Sequence, residues 1–262
     1  MRILGAKHAR GITTRQPTKR QDFRWEIDHF VYGVNDLDTG VEWFRHHTGI
    51  APKIGGRHEG LGTRNAIARI DVADAGKKIP PAYFEIIAPD PEQNTPPRWM
   101  GMEKATLPRM LTWAVRPVKG SRSFEEDVER SRSDVYDPGP IETYERRIVV
   151  SDAGGTHNSN KDEWIRWKLA YRHFEWPLPG NGTIPFLIGW SDEGCSHPAI
   201  SSPGGCVLKA IVTRTKEPRR VEKVLGSIGG VAGVLNKTAI GDSREGVGCV
   251  LRVPGGRAVE IF

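Results

Sequence analysis

The chain is poor in sulfur and has no long apolar run. Its three cysteines, Cys195, Cys206 and Cys249, are odd in number and lie in no CxxC pair. That argues against a disulfide framework and a cysteine zinc knuckle, and it suits a reducing compartment. No stretch approaches the roughly 20 apolar residues that span a bilayer. The longest apolar runs, YFEIIA and CVLRV, are strand-sized. The pattern GxxxxGK[ST] is absent, which removes a phosphate loop from consideration. A charge surplus is also missing from most of the chain. Residues 1–24 hold seven basic side chains and one acid, which is the whole of the net +6, and the remainder balances. The basicity therefore reports a tail, not a basic face for nucleic acid.

What remains is an ordinary soluble composition, 37% hydrophobic and 27% charged over 262 residues. Residues 1–24 read as a basic disordered tail or, alternatively, a targeting segment. A cytoplasmic location is expected, or an organelle if that segment is a transit peptide. Residues 26–34 read as a strand, with Ile27, His29 and Val31 on one face. Asn35 or Asp36 suits an N-cap. Leu37, Val41 and Phe44 form one apolar helical stripe, and Gly49 suits the C-terminal stop. Residues 66–72 and 82–88 read as strands. His29 and Glu85 thus sit on two apolar strands, where an ionisable group is costly unless paired or ligated.

The same grammar returns near the C-terminus. VLKAIVTRTKEPRRVEKVL from Val207 aligns without gap under IDHFVYGVNDLDTGVEWFR from Ile27. Lys209 then falls under His29 and Glu260 under Glu85, a pair expected to form a salt bridge. CVLRV and AVEIF form a predicted hairpin around Pro254–Gly255–Gly256. A more decorated middle copy is read from the strand LTWAV, a helix over residues 124–131, and strands over 164–171 and 184–190. The polar, glycine-rich residues 151–163 read as an exposed hairpin loop.

DHFVYGVNDLDTGVEWF, GGRHEGLGTRNA, YFEIIAPDP, LTWAVR, RWKLA, IPFLIGW and SHPA, in this order, resemble the glyoxalase-like domain proteins of the vicinal oxygen chelate superfamily. The resemblance covers about residues 25–262. It implies an α+β fold of tandem βαβββ modules with curved mixed sheets around a central cleft. The expected division is a glyoxalase-like domain over 25–204, with modules at about 25–97 and 106–190. A third, shorter module over 205–262 would pack on the same domain. Superfamily enzymes typically bind a divalent metal in that cleft and run lyase, isomerase, dioxygenase or transferase chemistry, while some members only sequester a ligand.

At the positions where the resemblance places ligands stand His29 and Glu85, whose donors suit Zn, Mn, Fe or Ni. In the middle copy Thr112 and Leu187 or Phe186 occupy the matching places, so half of a four-ligand glyoxalase site is missing. That speaks against true lactoylglutathione lyase activity. His58 is the expected third ligand and His197 a further candidate, since catalytic sites usually take about three protein ligands. Glu85 and His58 are also the candidate catalytic groups. Thr63, Asn65, Trp113, Arg166 and Trp190 are the candidate substrate contacts. The readings weighed are a metal-dependent lyase or isomerase acting on a small oxygenated organic substrate, and a non-catalytic binding or sequestering protein without metal. A small molecule is the expected partner, with no nucleic acid and no membrane. The expected state is a monomer or homodimer.

Overall fold

A computed structural model describes residues 25–74, 77–120, 122–147, 164–172, 176–191, 197–232, 235–240 and 244–262. The basic tail, Cys195 and the expected loop at 151–163 lie outside the described residues. The first strand, β1 (Trp25–Gly33), leads into helix α1 (Leu37–Thr48), then β2 (Lys53–His58), β3 (Thr63–Asp74), β4 (Lys77–Lys78) and β5 (Ala82–Pro89). A second run follows: β6 (Arg109–Pro117), α2 (Phe124–Ser131), β7 (Ile141–Arg147), β8 (Trp164–Ala170) and β9 (Phe186–Trp190). The last run is β10 (Cys206–Thr215), α3 (Pro218–Ser227), β11 (Val231–Ala232), β12 (Leu235–Ile240), β13 (Gly246–Arg252) and β14 (Ala258–Ile261).

Helix α1 begins and ends where local chemistry dictates. Asp36 is the N-cap and accepts the Thr39 N–H at 2.8 Å. Gly49 closes the helix in the left-handed conformation, φ 77°. Leu37, Gly40, Phe44 and Thr48 form its buried face, and Phe44 packs on Phe84 of β5 with ring centroids 4.7 Å apart.

The strands form one mixed sheet in the order β14-β13-β10-β3-β5-β1-β6-β9-β8-β7, with β2 and β4 on β3, β11 on β1 and β12 on β10. This is the expected α+β architecture. At its centre β1 runs antiparallel to β6 and parallel to β5, while β6 runs parallel to β9. Every residue of β1 is buried, because helices and core side chains cover one face and a cavity with its aromatic walls occupies the other. Among the described residues no helix is long and apolar enough to cross a membrane.

The glycine-rich residues 53–58 before Thr63 form β2, paired antiparallel to β3. Its glycines lower strand propensity, yet close neighbours require them. A Cβ at Gly55 would strike the Asn65 carboxamide, and one at Gly56 the Arg146 guanidinium. The third copy departs from the first. β14 does not lie beside β10, since β13 stands between them. Glu260 accordingly pairs with Arg214 at 2.5 Å, and Lys209 is exposed, so the expected Lys209–Glu260 salt bridge is not formed.

Candidate functional site

The geometry of β1 departs from simple alternation at one place. Its register against β6 shifts between Ile27 and His29, so Asp28 is an extra residue in a β-bulge. Bulges re-aim side chains. Here Asp28, fully buried at 0% exposure, reaches the flank of His29. Its Oδ1 accepts the His29 Nδ1–H at 2.6 Å. Its Oδ2 accepts from Trp190 Nε1 at 2.9 Å, His197 Nε2 at 3.0 Å and Arg116 Nη1 at 3.2 Å. Burial alone raises the Asp28 pKa. The His197 charge and hydrogen bond, with those of His29, outweigh it and hold the carboxyl well below its usual range.

With Nδ1 engaged by a carboxylate, His29 turns Nε2 toward Glu85, 3.7 Å from Oε2. The ring is held on both sides, stacked on Tyr83 at 4.5 Å between centroids and edge-on to Phe186 at 5.4 Å. His58, at the end of β2, approaches Glu85 from the other side, its Nε2 3.7 Å from Oε1. Asn65 Nδ2 donates to the same Oε1 at 2.5 Å and stands 3.5 Å from His58 Nε2. That network assigns the His58 ring proton to Nδ1, which donates to Thr63 Oγ1 at 2.9 Å. Burial pulls the His58 pKa down, so its imidazole is neutral near pH 7. Burial, with the Asp28 and Glu85 charges added, pushes the Tyr83 phenol well above its usual value.

These groups open on a cavity of about 40 Å³ whose other walls include Trp99, Arg146, Trp167, Phe186 and Ile188. A volume of this size holds an ion, a water or a few atoms of a ligand. It is far below the roughly 300 Å³ at which whole-ligand pockets begin.

The structure thus brings His29, His58, Glu85, Asn65 and Thr63 together and sets Trp190 at the cavity edge. It places three other candidates elsewhere. Trp113 alternates to the opposite face of β6, fully buried in the core with Nε1 donating to the Thr183 carbonyl at 3.0 Å. Arg166 is solvent-facing and paired with Glu145 at 2.9 Å. His197 meets Asp28 behind His29 rather than Glu85. Asp28, Tyr83 and Arg116 are functional neighbours that period-two reading missed. For Asp28 the available signal was its place between Ile27 and His29 in a strand that reads as buried.

The donor set was tested against a divalent ion. Two imidazole nitrogens and a carboxylate suit Zn, Mn, Fe or Ni, and both rings are turned by partners on Nδ1, as metal-binding histidines are. The spacing is that of a hydrogen-bonded cluster. Among the described residues no group of three His, Cys, Asp or Glu side chains is gathered as a metal centre. The feature that suits a metal is orientation: both rings present Nε2 to one carboxylate, whose Oε1 is held by Asn65.

The chain is similar to a hypothetical protein from Staphylococcus aureus, at 12% identity and TM-score 0.48, over 90% of this chain and 85% of that one. It is also similar to a Streptomyces coelicolor methylmalonyl-CoA epimerase variant in complex with 2-nitronate-propionyl-CoA, at 15% identity and TM-score 0.37, over 64% and 98%. The Mycobacterium tuberculosis methylmalonyl-CoA epimerase matches at 18% identity and TM-score 0.33, over 63% and 86%. No curated protein matches the chain. The family model of the glyoxalase-like domain matches residues 27–229. That match spans His29, His58, Glu85, the Asp28 bulge and both central strands, and by it the chain belongs to the glyoxalase-like domain family.

Proposed function

We propose that the chain is an enzyme of the lyase or isomerase type. It would act on a small oxygenated organic substrate whose reacting end enters the cavity at His29, His58 and Glu85. These three side chains would hold a divalent metal. The observation that carries the reading is ring orientation: both imidazoles have Nδ1 engaged from behind and Nε2 turned on one carboxylate. When bound, a divalent ion there supplies Lewis-acid polarisation of a substrate oxygen.

The chain's own groups supply the rest. Glu85 is the candidate proton carrier. Asn65 fixes Oε1, which leaves Oε2 as the oxygen free to take a proton. Asp28 and Thr63 fix the tautomers of the two rings. Trp99, Trp167, Phe186 and Ile188 give the cavity apolar walls, and Arg146 would offer a positive charge to an anionic oxygen. The β6–β9 half contributes Phe186 and Ile188 rather than ligands, which argues against a four-ligand centre shared between halves.

A second reading is a binding protein that needs no metal. The Asn65–Glu85 hydrogen bond favours it, because it already satisfies one oxygen of the carboxylate. Metal analysis of protein purified without chelator separates the two. About one equivalent in the wild type, lost in His29→Ala, supports the enzyme. A wild type that neither carries metal nor takes up added Zn²⁺, Mn²⁺, Fe²⁺ or Ni²⁺ overturns the metal centre and leaves the binding reading.

A further inference from the structure

On the far side of Trp190 from the reactive cavity lies a cleft of about 560 Å³. Its volume falls within the range of about 300–1,000 Å³ typical of small-molecule sites. Phe124 of α2 lies against the backbone of Gly189 and forms one wall with Trp190. Pro80, Pro81 and Pro117 form the other, where fixed φ angles keep the backbone rigid.

Two features give the cleft a chemistry. Scattered exposed apolar side chains mean little, but a cluster in a concave surface marks a binding site. Among the described residues the exposed large hydrophobics are Ile54, Val118 (38%) and Ile200 (57%), and the last two line this cleft. The rim carries Lys119 and Arg122, both exposed. Among the described residues the one carboxylate lining the cleft is Glu26, which is bound to Arg116 at 2.8 Å rather than to Lys119 or Arg122. The chain's first 24 residues, with six surplus positive charges, have the wrong sign to fill it.

We propose that this cleft is a second ligand site, for a small amphipathic anion. The apolar body would lie on Phe124, Val118, Trp190 and Ile200. A carboxylate or phosphate head would meet Lys119 and Arg122. The site is separate from the reactive cavity, and its existence does not depend on a metal there. Among the described residues Trp190 alone lines both spaces.

The test is titration calorimetry of the full chain with octanoate, octyl phosphate and, as the uncharged control, octyl glucoside. One anion per chain is expected to bind. The preferred head is read from the ratio of the two anion affinities, and the uncharged control should bind at least tenfold more weakly. K119E/R122E and, separately, Ile200→Glu should each weaken the anion at least tenfold, whereas His58→Ala should leave it within twofold. All three variants leave Phe124, Trp190 and the proline wall in place, and circular dichroism checks the fold. Binding that does not saturate, survives K119E/R122E, survives Ile200→Glu, or disappears in His58→Ala overturns the proposal.

Discussion

At the scale of single residues, Asp28 anchors the groups behind His29. It is the shared acceptor of two imidazoles, an indole and a guanidinium. Replacing it by alanine leaves buried donors without their acceptor, while Arg116 keeps Glu26, and costs about 1–3 kcal/mol. Urea unfolding should show that loss for Asp28→Ala, with no comparable loss for Arg166→Ala, whose exposed pair contributes about 0–1 kcal/mol. Trp113 belongs to the core, so Trp113→Phe should destabilise by about 1 kcal/mol through the lost hydrogen bond to Thr183. It should leave binding at the cavity unchanged, and an altered affinity there would return Trp113 to the site.

At the scale of elements, two local devices position the ligands. The first is β2, where Gly55 lets the strand close on Asn65. Gly55→Ala must displace the Asn65 carboxamide that holds Glu85. Metal or ligand affinity should fall about tenfold or more, with the far-ultraviolet dichroism retained. The second is the α1 cap, which anchors the helix packed on β5. Asp36→Ala should cost about 1 kcal/mol at neutral pH. The Asp36 carboxyl is held below its ordinary pKa by the Thr39 N–H and then the Thr39 hydroxyl. A depressed carboxyl contributes its stability above the unfolded-state value and loses it as pH falls through the folded-state value. Wild type and Asp36→Ala should therefore converge below that lower value in urea midpoints taken across acidic pH. A gap that persists there would show that the cap does not depend on the charge.

At the scale of the whole molecule, the sheet order explains what could be read from sequence. Periodicity located α1, α2 and most of the central strands, because each has an apolar face of regular period, and the ordered motifs identified the α+β family. His29, Glu85 and His58 were found because they are ionisable groups at odds with apolar or glycine-rich surroundings. Asp28 was not, since a bulge overrides the period of two on which facing was argued. Trp113 was misplaced for a related reason: a tryptophan in a strand looks alike on either face, and only pairing with β1 decides which face is core. The third copy misled about Glu260 because its gapless match with the first stops short of strand pairing: β12 is the strand parallel to β10, and β14, which carries Glu260, lies beyond the antiparallel β13. Residue type and period are local, whereas bulges and strand order are settled by the assembled sheet.

The central claim is that His29, His58 and Glu85 act as one ligand set while His197 serves only behind it. Titration of the purified protein with cobalt(II), followed by its visible absorption, tests it most directly. One equivalent should bind. His58→Ala should weaken it at least tenfold, and His197→Ala should retain a saturating one-to-one spectrum. No saturable spectrum in the wild type, or equal loss in both variants, would contradict the account.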